Sequence, residues 1–143
     1  MQEGLIDMAT HRSGLARELE PRDGIERYSD ASFAANLAGG PLLFAPGEGM
    51  LYSNVAYDLL AMALAGASGM DYADLVQEKL LDPMGMASTG YLRPQGDNVM
   101  TGYDWNGVEM DPGEPIPNRF GASALYATAN DMVKYLHWNL DRF

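Results

Sequence analysis

The sequence predicts a mainly α protein with one small β-hairpin, and three observations carry that prediction. Apolar residues recur at helical spacing near both ends of the chain. A run around positions 54–67 is apolar on nearly every face, with Asp58 as its only charge. Asn106-Gly107 sits between Thr101–Trp105 and Val108–Met110, the pattern of a tight hairpin turn.

Taken in order, Leu5, Met8 and Ala9 begin a short helix that Gly14 ends, and a loop follows through Pro21 and Gly24. Ser29 or Asp30 can cap a second helix with Phe33, Leu37 and Ala38 on one face, stopped at Gly39-Gly40-Pro41. Leu42–Gly47 is an extended lead into a turn, because Pro46 biases the residue before it away from helix. The central helix runs from Asn54 to Ala67, with Gly69 as its stop. Apolar all round, it should lie in the middle of a bundle or between two layers. Asp71 caps the next helix, in which Tyr72, Leu75, Val76 and Leu80 share a face and which Pro83 closes. A loop-rich stretch from about Pro83 to Phe120 holds the hairpin. Thr128-Ala129-Asn130-Asp131 opens the last helix with capping-box spacing, and Met132, Leu136 and Leu140 form its stripe.

At 143 residues the chain has the length of one domain, read as a single helical unit over residues 1–143. Its 47% apolar and 20% charged residues are a globular composition. Nine basic against twenty acidic residues give a net charge of −11, which argues against nucleic acid and against an anionic membrane surface. With no cysteine, thiolate catalysis and Cys-ligated zinc are excluded, and the compartment stays open. Met1-Gln2-Glu3 lacks the positive start of a signal peptide. The apolar stretch from Leu59 to Met70 is shorter than the roughly 20 residues that span a bilayer.

Most chemical motifs are missing. There is no P-loop and no Gly-x-Gly-x-x-Gly, and Gly121-Ala122-Ser123-Ala124-Leu125 approaches a nucleophile elbow without its second glycine. His11 and His137 stand at opposite ends with no metal spacing around them, so each reads as a capping or half-buried histidine. Asp104, Glu109, Asp111 and Glu114 lack the alternating ligands and closing bidentate Glu of a calcium loop and read as a solvated hairpin. No cofactor and no metal are expected. The informative segment is Pro46–Asn54. A phenol at Tyr52 beside a cation can act as a base, and an amide at Asn54 can hold an amine and a carbonyl at once. From the residues alone, Ser53 or Asn54 as a helix cap and Tyr52 as a packed aromatic is the favoured reading.

Four segments in order alter that balance. They are Asp7–Leu15 with Thr10-His11-Arg12-Ser13-Gly14-Leu15; Phe44-Ala45-Pro46-Gly47 with Tyr52-Ser53-Asn54 and Tyr57-Asp58-Leu59-Leu60; Asp82–Thr89 with Pro83-Met84-Gly85-Met86; and Gly121–Met132. Together they resemble the serine β-lactamase-like family of class C β-lactamases, penicillin-binding D-peptidases and related esterases. Its words are Thr-His-Thr-Ser-Gly-Leu, Phe-x-Pro-Gly with Tyr-Ser-Asn, Pro-Leu-Gly-Met and Gly-x-x-Gly-Leu-x-Ser-Thr-Ala-x-Asp-Met.

The resemblance implies the helical domain of the β-lactamase/transpeptidase-like fold, with the sheet domain absent. It implies that Tyr52 matches a general base or proton shuttle and Asn54 the residue holding a lysine and the substrate amide. Ser53 is given no chemistry, and His11, Pro46, Gly47, Pro83 and Gly85 match helix ends and turns. The family's Ser-x-x-Lys does not occur here, since every serine lacks a lysine three residues later, and Lys-Thr-Gly or His-x-Gly is absent too. The expectation is therefore an internal piece of a larger serine hydrolase, acting in the intact parent on a small-molecule or peptide substrate and inert alone. The alternative is a natural truncated relative that binds a partner without chemistry. A helical domain without its sheet would self-associate through the exposed face, with the central helix as the contact.

Overall fold

The computed structural model describes residues 2–20, 29–96, 99–111 and 119–141. The expected loop at Pro21 and Gly24, Glu114 of the acidic cluster and the prolines at 112, 115 and 117 lie outside them. The order of elements is α1 (Gln2–Ala9), α2 (Asp30–Gly39), α3 (Asn54–Ser68), α4 (Tyr72–Val76), a π-helical turn (Gln77–Leu81), β1 (Gly102–Tyr103), β2 (Glu109–Met110) and α5 (Ala129–Leu140). The protein is mainly helical with one small antiparallel sheet, as the sequence predicts. The chain forms two compact units, Met1–Val76 with Ile116–Ala124 and Gln77–Pro115 with Leu125–Phe143.

In the first unit, α2 and α3 each begin where a side chain takes up an orphaned backbone N–H. Ser29 Oγ accepts the Ser32 N–H at the start of α2. Ser53 Oγ accepts the Ala56 N–H at the start of α3. Gly69 ends α3 at φ 70°, a left-handed conformation that glycine adopts at little cost. The core is Leu19, Phe33 and Val55, with Leu59 and Met62 packed against it. Tyr57 of α3 donates its hydroxyl to the Ala9 carbonyl at 2.8 Å and so ties α3 to the end of α1.

The central helix is not enclosed on all sides, contrary to its apolar pattern. Its buried residues are Val55, Ala56, Asp58 and Ala61, while Leu64 and the turn beyond it are exposed. The one charged residue, Asp58, is 2% exposed and Leu64 is 41% exposed. Periodicity counts apolar faces; it does not say which face a neighbour covers.

In the second unit, the helix expected to continue to Pro83 is wound as a π turn from Gln77, and Leu81 is buried at its end. The hairpin pairs Gly102 with Met110 and Tyr103 with Glu109. Its loop closes with Asp104 Oδ1 accepting the Asn106 and Val108 N–H groups at 2.8 Å and Gly107 at φ 78°. A single bridge joins Gly90 to Tyr126. Thr128 Oγ1 caps α5 through the Asp131 N–H. The Asp131 carboxylate is turned elsewhere: it accepts from Ser88 N–H at 2.8 Å, Thr89 Oγ1 at 2.9 Å and Lys134 Nζ at 2.7 Å. The Lys134 ammonium, ahead of burial and the other donors, holds the Asp131 carboxyl below the usual carboxylate range. The α5 stripe of Met132, Leu136 and Leu140 is exposed instead of forming a core. Among the described residues no single helix is long and apolar enough to cross a membrane.

Candidate active site

Tyr52 and Asn54 lie on either side of Ser53, the N-cap of α3. Ser53 is fully buried, and its Oγ donates to the Ala16 carbonyl at 2.7 Å while accepting from Ala56. This caps the helix and points Ser53 inward, so in extended backbone its neighbours face the other way. Both line one cavity of about 270 Å³ together with His11, Tyr57, Gly121 and Ala122.

His11 occupies the left-handed region at φ 58°, in the turn after α1. Its carbonyl accepts the Leu51 N–H at 2.9 Å and its Nδ1 accepts the Ser53 N–H at 3.1 Å. The ring lies 4.6 Å from that of Tyr52 and 5.0 Å from that of Tyr57. The residue read as structural is thus also a wall of the cavity. The Arg17 guanidinium stands 5.4 Å from the centre of the Tyr52 ring, a cation beside the phenol.

The floor is polar. Asn54 Nδ2 donates to Glu18 Oε1, and the Asn54 N–H donates to the Arg17 carbonyl at 3.0 Å. Arg119 lies 3.2 Å from Glu18 Oε2 through Nη2 and 3.6 Å from Asp58 Oδ2 through Nε. Asp58 Oδ1 accepts the Ala122 N–H at 2.9 Å. Burial pushes the Asp58 carboxyl up to about 6, against the opposing pull of the Ala122 N–H and the Arg119 charge. Gly121 approaches α3 so closely that a Cβ there would stand 2.1 Å from the Tyr57 carbonyl oxygen. Glu18, Asp58 and Arg119 carry no local sequence signal for this role, except that Asp58 is a lone charge in an apolar helix. Among the described residues, no group of three or more His, Asp or Glu side chains is placed to hold a metal ion.

A helical unit that sets Tyr-Ser-Asn at the head of a helix, on a cavity walled by histidine and a Gly-Ala turn, is the helical domain of the serine β-lactamase-like fold. The chain belongs to the beta-lactamase family, whose model matches residues 5–142. It is 34% identical over 140 residues to the D-alanyl-D-alanine-carboxypeptidase/endopeptidase AmpH of Escherichia coli K12, covering 92% of this chain and 35% of that protein. Over 100 residues it is 30% identical to esterase EstB of Burkholderia gladioli, covering 64% of this chain and 24% of that protein. Among solved structures, a class C beta-lactamase in complex with cefoxitin matches at TM-score 0.80 and 26% identity, over 97% of this chain and 38% of that one. The matches therefore span between 24% and 38% of the length of these relatives.

Proposed function

We propose that the chain is an internal part of a serine acyl hydrolase that cleaves amide or ester bonds through an acyl-enzyme, with Tyr52 shuttling protons and Asn54 positioning the reacting groups. The observation that carries this reading is that Tyr52 and Asn54 face one cavity in a chain of the beta-lactamase family. In that reaction a serine attacks the carbonyl, the leaving group departs with a proton, and water releases the acid. The relatives are named for D-alanyl peptide and ester substrates, and one binds cefoxitin. Amide and ester carbonyls are therefore the substrate class proposed here. The chain has no Ser-x-x-Lys, so by itself it is inert.

The test is intact mass after incubation with a fluorophosphonate and, separately, a penicillin. No adduct is expected on this chain, and one adduct is expected on a longer gene product carrying Ser-x-x-Lys. A stoichiometric adduct on the 143-residue chain, or none on the longer product, overturns the reading. The same reading implies that the isolated chain self-associates through uncovered apolar side chains such as Leu64 of α3. Light scattering that returns a monomer at millimolar concentration rejects that corollary.

A further inference from the structure

We propose that Glu18 is a positioning residue for Asn54, and that Arg119, bridged to Asp58, holds Glu18 in that role. The inference rests on the reading of Asn54 as a ligand-facing residue and extends it to which end of the amide meets the ligand.

An asparagine amide has a donor end and an acceptor end of nearly equal size. Left free, it can present either to a cavity. An ionised carboxylate only accepts, so the bond between Asn54 and Glu18 Oε1 turns the NH2 end of the amide toward Glu18. The Asn54 N–H is also tied to the Arg17 carbonyl, which fixes the start of α3 beside the segment that carries Glu18. Among the described residues no protein donor engages Asn54 Oδ1, which is left as the acceptor for a ligand. Asn54 thereby presents its Oδ1 to an N–H donor, an amide N–H or an ammonium, while the second proton of Nδ2 stays available to a carbonyl.

Arg119 keeps Glu18 in place. Its Nη2 lies 3.2 Å from Oε2 and 3.5 Å from Oε1 of Glu18, and its side chain is only 13% exposed. Breaking the pair is costly on the Arg119 side, because the guanidinium would be left a charge in a poor solvent, while Glu18 keeps partial access to water. Its Nε stands 3.6 Å from Asp58 Oδ2, so the guanidinium is held between two carboxylates from different parts of the chain. Asp58 in turn accepts from Ala122, a wall of the same cavity. An ion pair with a purely structural role has no need of Asn54; here one carboxylate oxygen of Glu18 faces both the cation and the amide.

The experiment is solution NMR of the 15N-labelled chain, read at the Asn54 side-chain NH2 pair. In the unaltered protein, one of the two protons should resonate downfield of the other asparagine side chains, as expected of a donor to a carboxylate. In Glu18→Gln that displacement should be lost or split into two populations, because a neutral amide can offer either end. In Arg119→Lys, which keeps the charge without the planar fork, it should be reduced. The backbone amides of α3 report that the fold is intact. An Asn54 pair at the ordinary asparagine position in the unaltered protein overturns the proposal whatever the variants do. So does a pair that Glu18→Gln leaves unmoved. None of these signals depends on turnover, so a failed adduct experiment leaves this one standing, and the reverse.

Discussion

His11 Nδ1 accepts the backbone N–H of Ser53 at 3.1 Å across 42 positions of sequence. The His11 carbonyl takes the Leu51 N–H as well, so one residue pins the backbone on both sides of Tyr52. With Nδ1 as acceptor, the neutral imidazole carries its proton on Nε2. His11→Ala leaves the Ser53 N–H without its partner in a residue that is fully buried. The expected loss is about 2 kcal/mol, the cost of an unsatisfied buried donor. Urea unfolding reads it; an unchanged midpoint would mean that neither this bond nor the ring contacts of His11 hold the segment.

Asp58 makes stability depend on pH in a direction unusual for a carboxylate. In the unfolded chain its pKa is about 3.9, and burial raises it to about 6 in the folded protein. Between these values the folded state binds more protons, so the Asp58 contribution is complete below about pH 4 and is lost as pH rises through about 6. The size is on the order of 2–3 kcal/mol. Asp58→Asn keeps an acceptor for the Ala122 N–H but cannot titrate. Relative to the unaltered protein, the variant should gain stability by that amount between pH 4 and pH 7. Urea midpoints whose difference is the same at both ends would refute the assignment.

Two neighbouring small residues should respond in opposite directions. Gly121→Ala places a methyl 2.1 Å from the Tyr57 carbonyl oxygen and 2.9 Å from Ala61 Cβ, so the turn must move away from α3. Overpacking of this kind costs about 1–3 kcal/mol, and the wall of the cavity moves with it. Ala124 sits at φ 75°, where the family word has its second glycine. Ala124→Gly relieves a left-handed alanine and should stabilise the protein by about 1 kcal/mol. Thermal melts of the two variants test both signs; a stabilised Gly121→Ala or a destabilised Ala124→Gly would show that the turn is not held as described.

The sequence by itself determined what depends on near neighbours. Thr128 as a helix cap, Gly69 as a stop and the Asn106-Gly107 turn are each settled by residues within a few positions of the backbone they satisfy, and the caps of α2 and α3 are narrowed to Ser29 or Asp30 and to Ser53 or Asn54, of which the structure uses the serines. The ordered words from Thr10 to Met132 determined the family, and with it Tyr52 and Asn54 as the expected site. Only the tertiary structure decided what depends on burial. It put the lone charge of α3 inside and left Leu64 and the α5 stripe outside, which an apolar pattern without a partner surface does not specify. It also joined Glu18, Arg119 and Asp58 from three distant stretches of chain into a network that meets Asn54 at Glu18. Three charges written far apart carry no mutual information until folding excludes water from between them, and their interaction grows as the dielectric around them falls.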